Sequence, residues 1–162
     1  EVTFRRTVIP VQELLDAAGK YFKKLMKNRP ERIELEIESM EAKVIGDVNQ
    51  LRFLLENLID EALTVREDGV IRLQARKDNE YIRFLFTDTR REKSVEELNQ
   101  LFYPNLARMT SGEKGELRGT EYLVCKQIIR DHDEFAGRRG CRINAEPAEG
   151  GGFTVYFTIP RR

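Results

Sequence analysis

Nucleophiles and soft metal ligands are scarce in this sequence. It holds one histidine, His132, and two cysteines, Cys125 and Cys141. Without a Cys-x-x-Cys spacing these are too few donors for a zinc site, and both cysteines are expected to be small buried residues. No Ser-His-Asp or Cys-His arrangement presents itself for nucleophilic catalysis. The 28 Asp and Glu residues are too numerous to single out an acid–base pair. Asn57 and Glu61 stand four residues apart in LLENLIDEAL, one turn apart on a helix, and Asp88 ends the apolar run IRFLFTD. By residue type alone the first two read as solvated helix positions and the third as an exposed turn residue. Asn105–Arg118 carries Gly112, Gly115 and mixed charges with little periodicity. A loop of about a dozen residues is long enough to suggest function.

The elements that must position these residues follow from hydrophobic spacing. Val11, Leu14, Leu15, Ala18, Phe22, Leu25 and Met26 recur at helical intervals after Pro10, predicting an amphipathic helix that stops before Pro30. Ile33, Leu35 and Ile37 alternate with Glu34, Glu36 and Glu38, as in a strand with one wet face, and Val44-Ile45 is a short second strand. Asp47 is placed to cap a helix carrying Leu51, Leu54, Leu55, Leu58, Ile59, Ala62 and Leu63. Val70 to Arg76 and Tyr81 to Thr87 read as a hairpin, and Ser94 with Glu97 as a capping box opening a short helix. A helix from about Gly119 to His132 and two strands, Arg142 to Glu146 and Phe153 to Ile159, complete the order. Hairpins outnumber parallel crossovers. The expected fold is therefore an α/β (α+β) two-layer sandwich, a mixed, mostly antiparallel sheet with about three helices packed on one face.

The 162 residues suit one domain spanning 1–162, and the first residue, Glu1, falls in strand-like sequence, suggesting a part excised from a longer protein. Twenty-eight basic residues balance 28 acidic ones. That balance argues against a nucleic-acid partner, which requires a basic excess to neutralise phosphates. No apolar run approaches the roughly 20 residues needed to span a bilayer, so no membrane contact is expected of the domain, and cysteine usage fits a reducing, cytoplasmic setting.

With this order of elements, GDVNQLRFLLENLIDEA resembles the asparagine box of the ATP-binding catalytic domain of sensor histidine kinases, in the GHKL or Bergerat ATPase superfamily. IRFLFTDTRRE resembles its first glycine box, EELNQLFYP its phenylalanine box, RGTEYLVCKQIIRDH its second glycine box and GGGFTVYFTIP its closing strand. The resemblance implies a Bergerat fold, ATP and Mg²⁺ as cofactors, and a C-terminal position in a two-component signalling protein. The implied partners are the dimerisation and phosphoacceptor helices of the parent chain and a response regulator. The phosphoacceptor histidine belongs to those helices, so His132 is expected to cap or pack.

Carried over box by box, the resemblance implies Asn57, Asp88 and Gly119 as nucleotide-binding residues and Glu61 as the metal ligand. It also marks departures. Glu61 stands where the family has an Asn, and Thr64 where a Lys or Arg is usual. Arg90 and Glu92 replace the glycines after Asp88, and Leu117 and Glu121 replace two glycines around Gly119. Arg90, Arg91, Lys114 and Arg118 could contact phosphate in compensation. The expectation is an eroded nucleotide site with weak or lost ATP binding. An active kinase module with divergent contacts, or a small-molecule sensor reusing the cleft, are the alternatives.

Overall fold

In a computed structural model of the chain, the structure describes residues 3–104, 110–111 and 117–162. The order is β1 (Thr7–Pro10), α1 (Val11–Met26), β2 (Ile33–Ile37), β3 (Lys43–Gly46), α2 (Val48–Ala62), β4 (Gly69–Asp78), β5 (Tyr81–Asp88), α3 (Val95–Asn99), β6 (Thr110–Ser111), β7 (Leu117–Arg118), α4 (Glu121–Phe135), β8 (Ile143–Pro147) and β9 (Phe153–Pro160). Lys114 and most of the suspected loop lie outside the described residues.

Five strands in the order β2-β4-β5-β9-β8 form the main sheet, with β2 parallel to β4 and the other neighbours antiparallel. Alternation puts Leu73, Ala75, Phe84, Phe86, Val155 and Phe157 on the buried face, where Phe84 and Phe157 stack 4.8 Å apart. The apolar stripes of α1, α2 and α4 join them in one core. The fold class expected from the sequence is the one observed, with four helices once the short, Ser94/Glu97-boxed α3 is included. The last helix is shifted from the expected 119–132 to Glu121–Phe135. One feature absent from the sequence reading is a separate two-stranded sheet of β1 and β3, which ties the entering segment beside the start of α2. No described helix is long and apolar enough to cross a membrane.

Candidate functional site

The end of β5 and the end of α2 meet, and Asp88 lies between them. It is only 4% exposed, a correction to the expectation of an open strand-end carboxylate. Burial is possible because Arg90, two residues on, folds back over it. The Arg90 Nε donates to Asp88 Oδ1 at 2.9 Å, Nη2 donates to Oδ2 at 2.9 Å, and the backbone N–H of Arg90 adds a third bond at 3.0 Å. The remaining guanidinium protons go to the carbonyls of Ala62 (2.6 Å), Val65 (3.0 Å) and Glu67 (2.9 Å) at and beyond the end of α2. Nε, Nη1 and Nη2 together make five donations, which uses the full donor capacity of the group. A cation at a helix C-terminus also complements the helix dipole. The Arg90 side chain is 1% exposed, so it is neither a surface residue nor a phosphate contact. Gly69 makes room for it: a Cβ there would fall 2.6 Å from Arg90 Cγ.

Asn57 and Glu61 occupy successive turns of α2 as expected. Asn57 is buried, and one N–H of its Nδ2 donates to the Phe53 carbonyl one turn back at 2.8 Å. Across from α2, Gly119 adopts φ +79° ahead of α4, whose N-cap Thr120 makes no side-chain capping bond. Glu121 follows in the first turn of α4, where the dipole favours an anion. Its Oε1 is covered and has no hydrogen-bond partner among the described residues. The charge of Glu121 helps hold the nearby Asp60 carboxyl above its usual range, the larger cause being burial, while the Tyr21 hydroxyl donates to Asp60 at 2.6 Å and pulls the other way. Thr64 and Glu121 line one cleft of about 500 Å³ with Asp60, Arg29 and Arg66. Asn57, Asp88 and Gly119 do not line it.

Asp88, to which the resemblance assigns the adenine contact, is already bidentate to Arg90, and Glu61 and Glu121 stand where the resemblance implies an amide and a glycine. Among the described residues no group of three carboxylate, His or Cys side chains could hold a metal ion.

His132 packs rather than reacts. Its Nε2 accepts from the Asp47 backbone N–H at 3.0 Å, which leaves the proton on Nδ1 to be donated to the Ile128 carbonyl at 2.8 Å. Asp47 in turn caps α2 through Gln50 N–H and accepts from the Arg5 N–H at 2.8 Å. A Cβ on Gly46 would sit 2.7 Å from the ring. Burial lowers the affinity of this imidazole for a proton, outweighing the Ile128 carbonyl and the Asp47 and Asp131 charges. The unfolded chain then binds the proton more tightly, so stability is level above the ordinary imidazole value near 6.5 and falls as pH drops below it. Stabilities from urea unfolding between pH 8 and 5 should fall below about pH 6.5, by at most about 1.4 kcal/mol per pH unit. A His132→Asn variant following the same pH profile would assign the slope to other groups.

The family comparison agrees with the architecture. Residues 46–162 match the model of the histidine kinase-, DNA gyrase B- and HSP90-like ATPases. The chain therefore belongs to that ATPase family. Among solved structures, the nucleotide-free catalytic domain of histidine kinase ThkA superposes with a TM-score of 0.74 at 21% identity, covering 99% of this chain and 98% of that one. The mycobacterial sensor histidine kinase MprB gives 0.74 at 18% identity, covering 98% and 99%. A structure of ThkA in complex with the response regulator protein TrrA gives 0.73 at 18%, covering 98% of this chain and 42% of that one. The comparison with curated proteins gives no match.

Proposed function

We propose that this chain is the ATPase-type catalytic domain of a two-component sensor histidine kinase whose nucleotide site has been taken over by the protein's own side chains. It acts by docking and regulating a partner in place of transferring phosphate. The observation that carries this reading is Arg90 on Asp88. An arginine that donates two bonds to that carboxylate supplies from within what an adenine amino group would supply from without. Glu121 does the same at the other end, setting an internal carboxylate in the first turn of α4, where family members use glycine. Departure at two recognition points, one for the base and one for the phosphates, supports lost function over divergent binding. The similarity in fold to histidine kinase catalytic domains, and to part of a histidine kinase crystallised with a response regulator, supports a two-component setting and a response regulator as partner of the parent protein.

The test separates the two recognition points. Adenosine carries the base without phosphates, so it reports on Asp88 alone. Arg90→Gly and Arg90→Ala, verified as folded by circular dichroism, are expected to bind adenosine at least about tenfold more tightly than the parent, from a restored hydrogen bond to a charged acceptor. ATP–Mg²⁺ should gain less, because Glu61 and Glu121 remain. Ligand-observed NMR titration decides the matter. A parent that binds adenosine as well as both variants would show that Arg90 does not occupy the base site.

A further inference from the structure

The end of the sheet opposite Asp88 carries a surface that the nucleotide reading leaves unused. Strand β5 runs from Tyr81 to Asp88, which separates the two ends by roughly 20–25 Å. At the Tyr81 end, DEFAGRRGC covers the last three residues of α4 and most of its connection to β8, and carries two exposed arginines. Asp133 fixes it: one carboxylate oxygen accepts the N–H groups of Gly140 (2.7 Å) and Cys141 (3.1 Å), the other the Arg139 side chain (3.1 Å). The Tyr81 hydroxyl donates to the Arg139 carbonyl, and Gly137 and Gly140 supply the positive φ values the turn requires. Arg139 is 73% exposed at its side chain and Arg138 43%.

These arginines adjoin an exposed aromatic. Phe135, ending α4, is 53% exposed, and its ring lies 5.7 Å from that of Phe4. Arg6 lies over Gly137, close enough that a Cβ there would meet its Nη2 at 2.7 Å. Arg138 pairs with Glu80, whose carbonyl receives the Arg161 N–H, and the Arg162 N–H bonds the Lys43 carbonyl. The side chains of Arg138 and Arg139 thus meet Glu80, Asp133 and Glu134, with Arg6 beside them and the backbone of Lys43, Arg161 and Arg162 running past the same corner. Among the described residues, Arg6, Lys43, Arg161 and Arg162 have no carboxylate within ion-pair distance. In a chain of zero net charge this is a local excess.

We propose that this corner is a docking site for an acidic polypeptide segment, with Phe135 packing against an apolar side chain of the segment and the arginines clasping its carboxylates. Exposed aromatics ringed by arginine match the composition of protein interfaces, and guanidinium forks suit carboxylates. The three carboxylates inside the patch repel a continuous polyanion, which favours a discrete acidic segment over nucleic acid or an anionic lipid surface. The inference rests on the docking reading above and names the class of partner.

The probes are a fluorescein-labelled peptide of Asp, Glu and Leu, the same peptide with Lys in place of each acid, labelled oligo(dT), and phosphatidylserine vesicles. The acidic peptide alone is expected to bind, more weakly as salt rises. Arg138→Glu/Arg139→Glu should weaken it at least about tenfold, Phe135→Ala and Arg139→Gln by less, and the charge-matched Lys24→Glu on α1 not at all. Unchanged thermal unfolding in Phe135→Ala and Arg139→Gln keeps the test independent of folding. Absent peptide binding, equal loss in Lys24→Glu, no loss in Phe135→Ala, or tighter binding of oligo(dT) or vesicles would each overturn the proposal. Nucleotide titration of the same samples is read separately, so tight ATP binding would defeat the eroded-site reading while leaving this one standing.

Discussion

Asp88→Asn is expected to destabilise the domain by about 3–5 kcal/mol, the cost of leaving a buried charge without its partner. The substitution keeps the shape, removes the charge and turns one acceptor into a donor. The Arg90 guanidinium would remain 1% exposed among three carbonyls with nothing to neutralise it, and the amide NH₂ would face its N–H groups. Removing both charges is milder, because neither is then left buried without its partner. Asp88→Asn/Arg90→Met should therefore cost less than the two single changes added together. The three carbonyls released by Arg90→Met keep its own cost from vanishing. Urea unfolding of the four proteins closes the cycle. A loss below about 0.5 kcal/mol for Asp88→Asn would mean that the pair behaves as an exposed ion pair does, and the buried-latch description would fail.

Much of the scaffold was legible because local periodicity and tertiary burial agree. The α2 stripe, the β4–β5 hairpin and the Ser94/Glu97 box are each set by residues within a few positions of one another. The site was harder to read, since its decisive contacts join distant residues. Arg90 follows a turn-like Thr-Asp-Thr and reads as surface; what buries it is a set of carbonyls 23 to 28 positions upstream, presented where α2 ends. The available signals were its replacement of a glycine two places after Asp88 and the glycine at position 69. His132 likewise takes its role from Asp47, 85 positions away. Both strands of the β1–β3 ribbon are legible as strand-like sequence, but their pairing is not, because runs of four residues such as TVIP carry too little alternation to say which strand lies beside which.

We propose that this member of an ATPase family no longer takes ATP. Three features act together. The Asp88 acceptor is engaged by Arg90, a carboxylate stands at position 61 where the family has an amide, and Glu121 places a further one at the start of α4. Like charges a few ångström apart oppose each other by roughly a few kcal/mol at intermediate effective dielectric. Losing the base contact adds about 1.5–3 kcal/mol. Each 1.4 kcal/mol is tenfold in affinity, so the combined penalty moves a micromolar site to millimolar or weaker. Isothermal titration calorimetry of ATP–Mg²⁺ into the unmodified domain tests this most directly. No saturable heat is expected at micromolar nucleotide; a saturable isotherm in that range would contradict the loss of ATP binding.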